Sequence, residues 1–167
     1  MYDYLPFIPQ IFSGELLVEQ SITELMQCNE ETLPYQLQLT KEEAVLLVET
    51  RNEALKTTDR IEIGGGMIKK LIRIFKYSPY ISQYNYAETI SELIDTFYYY
   101  KNETLEEISD DDLIDLMKEL FDGRCHGAME LLQGKEMDGI AHNIRFNEWD
   151  FGQREEIDGV EEENEDE

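Results

Sequence analysis

Apolar residues recur at three- and four-residue spacing through most of the chain, the period of one buried helix face. Behind Ser13, positions Val18, Ile22, Leu25 and Met26 keep that spacing. Thr40 with Glu43 forms a capping box, each side chain reaching the other's backbone N–H, and opens a helix with Ala44, Leu47, Val48 and Leu55 on its apolar face. Met67, Ile68, Leu71, Ile72 and Phe75 make another face. Asn85 and Glu88 predict a second box ahead of Ala87, Ile90, Leu93, Ile94, Phe97 and Tyr98. Ser109 caps a helix with three aspartates in its first turn, where the helix dipole favours negative charge. Its stripe is Leu113, Leu116, Met117, Leu120 and Phe121, and Asp122-Gly123 ends it. Two shorter segments follow, Cys125 to Gln133 and Lys135 to Ile144.

Two stretches alternate instead, with the period of a strand: Tyr35, Leu37 and Leu39, then Ile61 and Ile63. The predicted fold is therefore mainly α, a compact bundle of about six or seven helices, with a minor two-stranded ribbon of residues 35–40 and 60–63 as an optional addition. One helical domain is expected over residues 1–147, including an aromatic N-terminal arm (residues 1–12) packed across the core. Residues 148–167 carry 11 acidic side chains against a single basic one, Arg154. A block of like charge that dense stays solvated, so a disordered acidic tail is expected.

Charge narrows the function. The chain has 38 acidic and 14 basic residues, for a net charge of −24. That field repels nucleic acid and anionic membranes. Two cysteines far apart, Cys28 and Cys125, make no disulfide framework and fit a reducing compartment. The N-terminus lacks the basic residues of a signal peptide, and no apolar run approaches the roughly 20 residues that span a bilayer. A cytoplasmic protein is expected, and a homo-oligomer is compatible with the sequence.

Against that acidity, the stretch from Arg51 to Lys76 holds seven basic and three acidic residues, half of all the basic residues in the chain. The glycines Gly64, Gly65 and Gly66 precede its lysine-bearing helix. A phosphate loop needs a fixed glycine spacing followed directly by Lys and Ser or Thr, and here Lys69 and Lys70 lie three and four residues on with no hydroxyl after them. A dinucleotide fingerprint fails as well. A general anion site at a helix start remains for Gly64, Gly65, Gly66, Lys69 and Lys70; the more economical reading is a strand-to-helix corner that needs positive φ. Lys69, Arg73 and Lys76 lie opposite the apolar face, and seven of the ten tyrosines fall between Tyr77 and Tyr100. Lys69, Arg73, Lys76, Tyr77, Tyr80 and Tyr84 are thus candidate partner-binding residues, against the plainer alternative of a solvated basic face and core tyrosines. Asp138 and His142 have the spacing of two metal ligands without a third, and Cys125-His126 carries no nucleophile signature. No catalytic residue, metal site or cofactor is assigned.

The segments CNEETLPYQLQLTKEEA, RIEIGGGMIKKLI, SPYISQYNYAETISELIDTFYYYKNETL and SDDDLIDLMKELFDG together resemble a family of uncharacterised proteins from clostridia and related Firmicutes, over roughly residues 5 to 145. The resemblance implies a bacterial, cytosolic, single-domain protein whose acidic tail lies outside the shared body. It implies no substrate, cofactor or catalytic residue. The function expected from the residues is a non-catalytic protein-binding or regulatory module, docking an acidic protein or its own tail. The alternatives are a phosphate or small-molecule binder, enzymatic or not, built on the Gly64–Gly66 helix start, and a nucleic-acid mimic carried by the acidic surface.

Overall fold

The computed structural model describes residues 7–146 other than Asp59 and Ile63, with backbone alone for residues 7–16 and Lys135. The first six residues of the N-terminal arm and all of the acidic tail, with Trp149 and Phe151, lie outside the described residues. Six helices of nine residues or more make the body: α1 (Phe7–Thr32), α2 (Lys41–Leu55), α3 (Gly66–Phe75), α4 (Tyr86–Glu103), α5 (Asp110–Asp122) and, after the single turn α6 (Met129–Leu131), α7 (Met137–Arg145). α1 starts six residues before Ser13, so half of the expected arm belongs to it.

α4 is the axis of the bundle. Eleven of its 18 residues are buried, including Ile90, Leu93, Ile94 and Phe97, a distribution too wide for a single stripe. It packs against α2, α3, α5, α6 and α7, while α1 lies across α2 and α3. The Thr40 capping box forms as expected, with Thr40 Oγ1 accepting from the Glu43 amide at 3.1 Å and Glu43 accepting from the Thr40 amide at 2.8 Å. Ser109 likewise accepts from the Asp112 amide at 3.1 Å. The box expected at Asn85 does not form: its side chain turns back to the preceding loop, bonding the Ser82 amide and the Tyr80 carbonyl. The last two predicted helices also shorten, since a kink at Gly134 separates α6 from α7.

No strand occurs among the described residues. Tyr35 belongs to a 3₁₀ turn, Leu33–Tyr35, and residues 37–40 form neither helix nor strand. The alternation there is real, because Leu37 and Leu39 are buried. Side-chain amides, however, take the place of a neighbouring strand. Asn29 on α1 bonds both the amide and the carbonyl of Leu39, at 2.8 and 3.0 Å, and Gln83 does the same for Gln38, at 2.7 and 2.8 Å. With those backbone groups satisfied, the segment needs no ladder. Ile61, the other strand's marker, is 87% exposed.

Candidate functional site

The glycine corner comes first because α3 starts there. Gly64 and Gly66 have φ of +69° and +40°, conformations that favour glycine. Two amides of this helix start, those of Gly65 and Met67, point at carboxylates of the chain itself. Glu24, from α1, accepts from the Gly65 amide at 3.2 Å and from Lys69 Nζ at 2.8 Å. The hydrogen bond from Lys69 holds the Glu24 carboxyl below its usual value, against the opposing effect of its partial burial. Glu62 accepts from the Met67 amide at 3.4 Å. The Gly64 carbonyl in turn accepts from Ser21 Oγ and from Arg51 Nη1, both at 2.7 Å. The anion seated at this helix terminus is thus an internal carboxylate.

The rest of the basic stretch is spread over the fold by its pairings. Lys70 reaches Asp111 at 3.1 Å, Arg73 reaches Glu31 at 3.2 Å, and exposed Lys56 pairs with Glu53 at 3.0 Å. Arg51 is 2% exposed and lies on the buried side of α2. Lys76 differs. Among the described residues it makes no direct ion pair, only a longer-range attraction to Glu31; its ammonium sits 5.1 Å from the Tyr77 ring centroid and 5.5 Å from that of Tyr35. These two rings meet edge to face at 5.2 Å. Both are exposed, as is Leu33 beside Tyr35. Of the candidate partner residues, the structure therefore brings Lys76 and Tyr77 together and adds Tyr35. Lys69 and Arg73 are tied to carboxylates, Tyr80 packs on Phe121 and His126, and Tyr84 stands fully exposed on the next turn. Tyr86, Tyr98 and Tyr100 are core residues. Asp138, half of the metal-spaced pair, accepts from the Tyr100 hydroxyl at 2.6 Å, and His142 packs on Phe146.

A second site was not among the sequence candidates. Where the end of α2 meets the end of α4, a cavity of about 210 Å³ is lined by Thr57, Thr58, Arg60, Tyr98, Lys101, Asn102 and Glu106. Behind it lies a charged network. Arg60 forks onto Asp110, with Nη1 at 3.0 Å from Oδ1, and its Nε reaches Glu62 at 2.9 Å. Tyr98 donates to Glu62, and Arg51 stands 3.8 Å from it. Lys101, 6% exposed, donates to the Ile108 carbonyl at 2.6 Å and pairs with Asp110 at 3.0 Å. Burial would raise the Asp110 pKa, but the hydrogen bonds from Arg60 and Lys101 outweigh it and hold the carboxyl below its ordinary range. Burial and the Glu62 charge push the Tyr98 phenol well above its ordinary value, so it stays protonated and donating. The sequence did carry a sign of this network: Arg51 and Lys101 occupy stripe positions, three residues after Val48 and after Tyr98 respectively.

These features define a small all-helical bundle whose conspicuous chemistry is charge pairing and exposed aromatic rings. A family model covering residues 24–150 matches the chain, and the protein belongs to that family, described as a family of unknown function (DUF6323). No curated protein and no solved structure matches it. No helix among the described residues is long and apolar enough to cross a membrane.

Proposed function

We propose that the chain is a non-catalytic docking module of the bacterial cytosol, and that Leu33, Tyr35, Lys76 and Tyr77 form its docking edge for an acidic segment of another protein. The observation that carries this reading is the Tyr35–Tyr77 pair held edge to face at 5.2 Å under the Lys76 ammonium, exposed to solvent and away from the core. Rings already fixed against each other lose little freedom on binding, and aromatic side chains beside a cation are common energetic centres of interfaces. Lys76 supports an acidic partner because, among the described residues, its ammonium makes no direct ion pair, whereas Lys69, Lys70 and Arg73 each contact a carboxylate; Glu31, which attracts it at longer range, is already bridged by Arg73. The net charge of −24 opposes such a partner at long range, so the affinity rests on short-range contact with the rings.

The test compares affinity capture from native cells by the full chain and by Lys76→Glu, Tyr77→Ala and Lys56→Glu, the last an equal charge change on α2's exposed end. The reading predicts a stoichiometric protein, held through an acidic segment, that wild type and Lys56→Glu retain and the other two lose. A partner retained equally by all four chains, or no stoichiometric partner, would sink it.

A further inference from the structure

The cavity between the ends of α2 and α4 has more cationic donors than acceptors. Arg60 has five N–H groups, of which three reach Glu62 and Asp110; Lys101 has three, of which two reach Ile108 and Asp110. Among the described residues, the carboxylate left to face the remaining donors is Glu106, and it sits too far away for a hydrogen bond. It lies 3.6 Å from Arg60 and 4.0 Å from Lys101. Counted by charge among the described residues, Arg51, Arg60 and Lys101 stand against Glu62 and Asp110, which leaves one positive charge for Glu106 to balance.

Glu106 is also held in an unusual way. Leu105 and Glu106 have φ of +55° and +57°, two successive non-glycine residues in the left-handed region. Such backbone is sterically unfavourable for a side chain with a Cβ and collects at functional positions. The Glu106 side chain is 58% exposed, while the two cations it faces are 19% and 8% exposed. An exposed carboxylate is thus presented to two largely buried cations, the arrangement of an internal stand-in for a ligand.

We propose that this cavity binds a small oxyanion, a carboxylate or phosphate group, between Arg60 and Lys101, and that the anion displaces the Glu106 carboxylate. The lining adds the exposed Asn102 amide, while the Thr57 and Thr58 hydroxyls there donate to the Ala54 and Leu55 carbonyls. A volume of about 210 Å³ falls below the ~300–1,000 Å³ of pockets for drug-sized ligands, so the ligand is a small metabolite and not a nucleotide. Buried cations whose donors lack acceptors favour an incoming anion because each charge-assisted hydrogen bond satisfies a group that burial otherwise penalises.

The test is an NMR titration of the full chain with inorganic phosphate and with acetate, against sodium chloride at matched ionic strength, read at the Leu105, Glu106 and Glu107 amides. The site predicts saturable shifts with at least one oxyanion and none with chloride; phosphate alone would mark a phosphate-type ligand, acetate alone or both a carboxylate. Glu106→Gln removes the competing charge and should tighten binding roughly two- to fivefold. Lys101→Met should weaken it at least about tenfold. If Lys101→Met does not fold, Glu106→Gln decides. Shifts that chloride reproduces, no saturation below about 10 mM, or a Glu106→Gln chain that binds no more tightly than wild type would overturn the proposal.

Discussion

Arg51 shows most clearly what single residues do in this protein. Its guanidinium donates to the Gly64 carbonyl at 2.7 Å and to Ser21 at 3.2 Å, and it faces Glu62 at 3.8 Å. It therefore ties α1, α2 and the corner before α3 into one unit. Removing one partner from a buried charged network leaves the others unpaired, which costs far more than an exposed ion pair is worth. Arg51→Met should lower stability by roughly 3 kcal/mol, seen as a lower urea midpoint at unchanged slope; a loss under 1 kcal/mol would show that the network is incidental. The position of Arg51 on the apolar stripe of α2 was legible in the sequence. Its network partners were not, because Glu62, Gly64 and Ser21 lie 11 to 30 residues away. Composition grouped Arg51, Lys69 and Arg73 as one positive island, and only the tertiary fold distributes their charges among Glu62, Glu24 and Glu31.

At the scale of elements, helices with a period and a cap were readable, and their connections were not. α5 matches its stripe from Ser109 to Gly123, and α2 its capping box, because both signals are local. The ribbon failed for a non-local reason: Asn29 and Gln83 satisfy the backbone of Leu39 and Gln38, and a period-two pattern cannot say which partner does so. The corner before α3 combines both kinds. Its glycines were readable as a turn, whereas the occupation of its amides by Glu24 was not. A Cβ on Gly64 would lie 2.2 Å from Glu24 Oε2 in a left-handed conformation, while one on Gly65 would meet only the flexible Lys69 stem. Gly64→Ala should thus cost about 2 kcal/mol, and Gly65→Ala less than half as much; denaturant melts that reverse this order would contradict the corner described above.

The whole molecule is governed by its excess of carboxylates. Glu92 lies beside Glu88, Asp95 and Glu130, and its own burial, then those neighbours, raise its pKa above the ordinary 4.5. A raised folded-state value means that the native chain takes up the proton first as pH falls, so stability increases on the way down from neutrality. Asp110 has the opposite sign: its value is held below 3.8, and the stability it supplies is lost as pH drops through that range. The melting temperature should therefore rise from pH 7 toward pH 5, with a smaller rise in Glu92→Gln, and then fall below about pH 4. A steady decline from pH 7 would contradict this balance.

The docking proposal is tested most directly by site-specific photocrosslinking in cells that make the protein natively, with the crosslinker at position 77 and, as a control, at Tyr99, an exposed ring on α4. The account predicts one discrete heterologous adduct from position 77, mapped to an acidic segment of its partner, and none of that species from position 99. Equal yields of the same adduct at both positions, no adduct at 77, or an adduct confined to the chain's own residues 148–167 would contradict it.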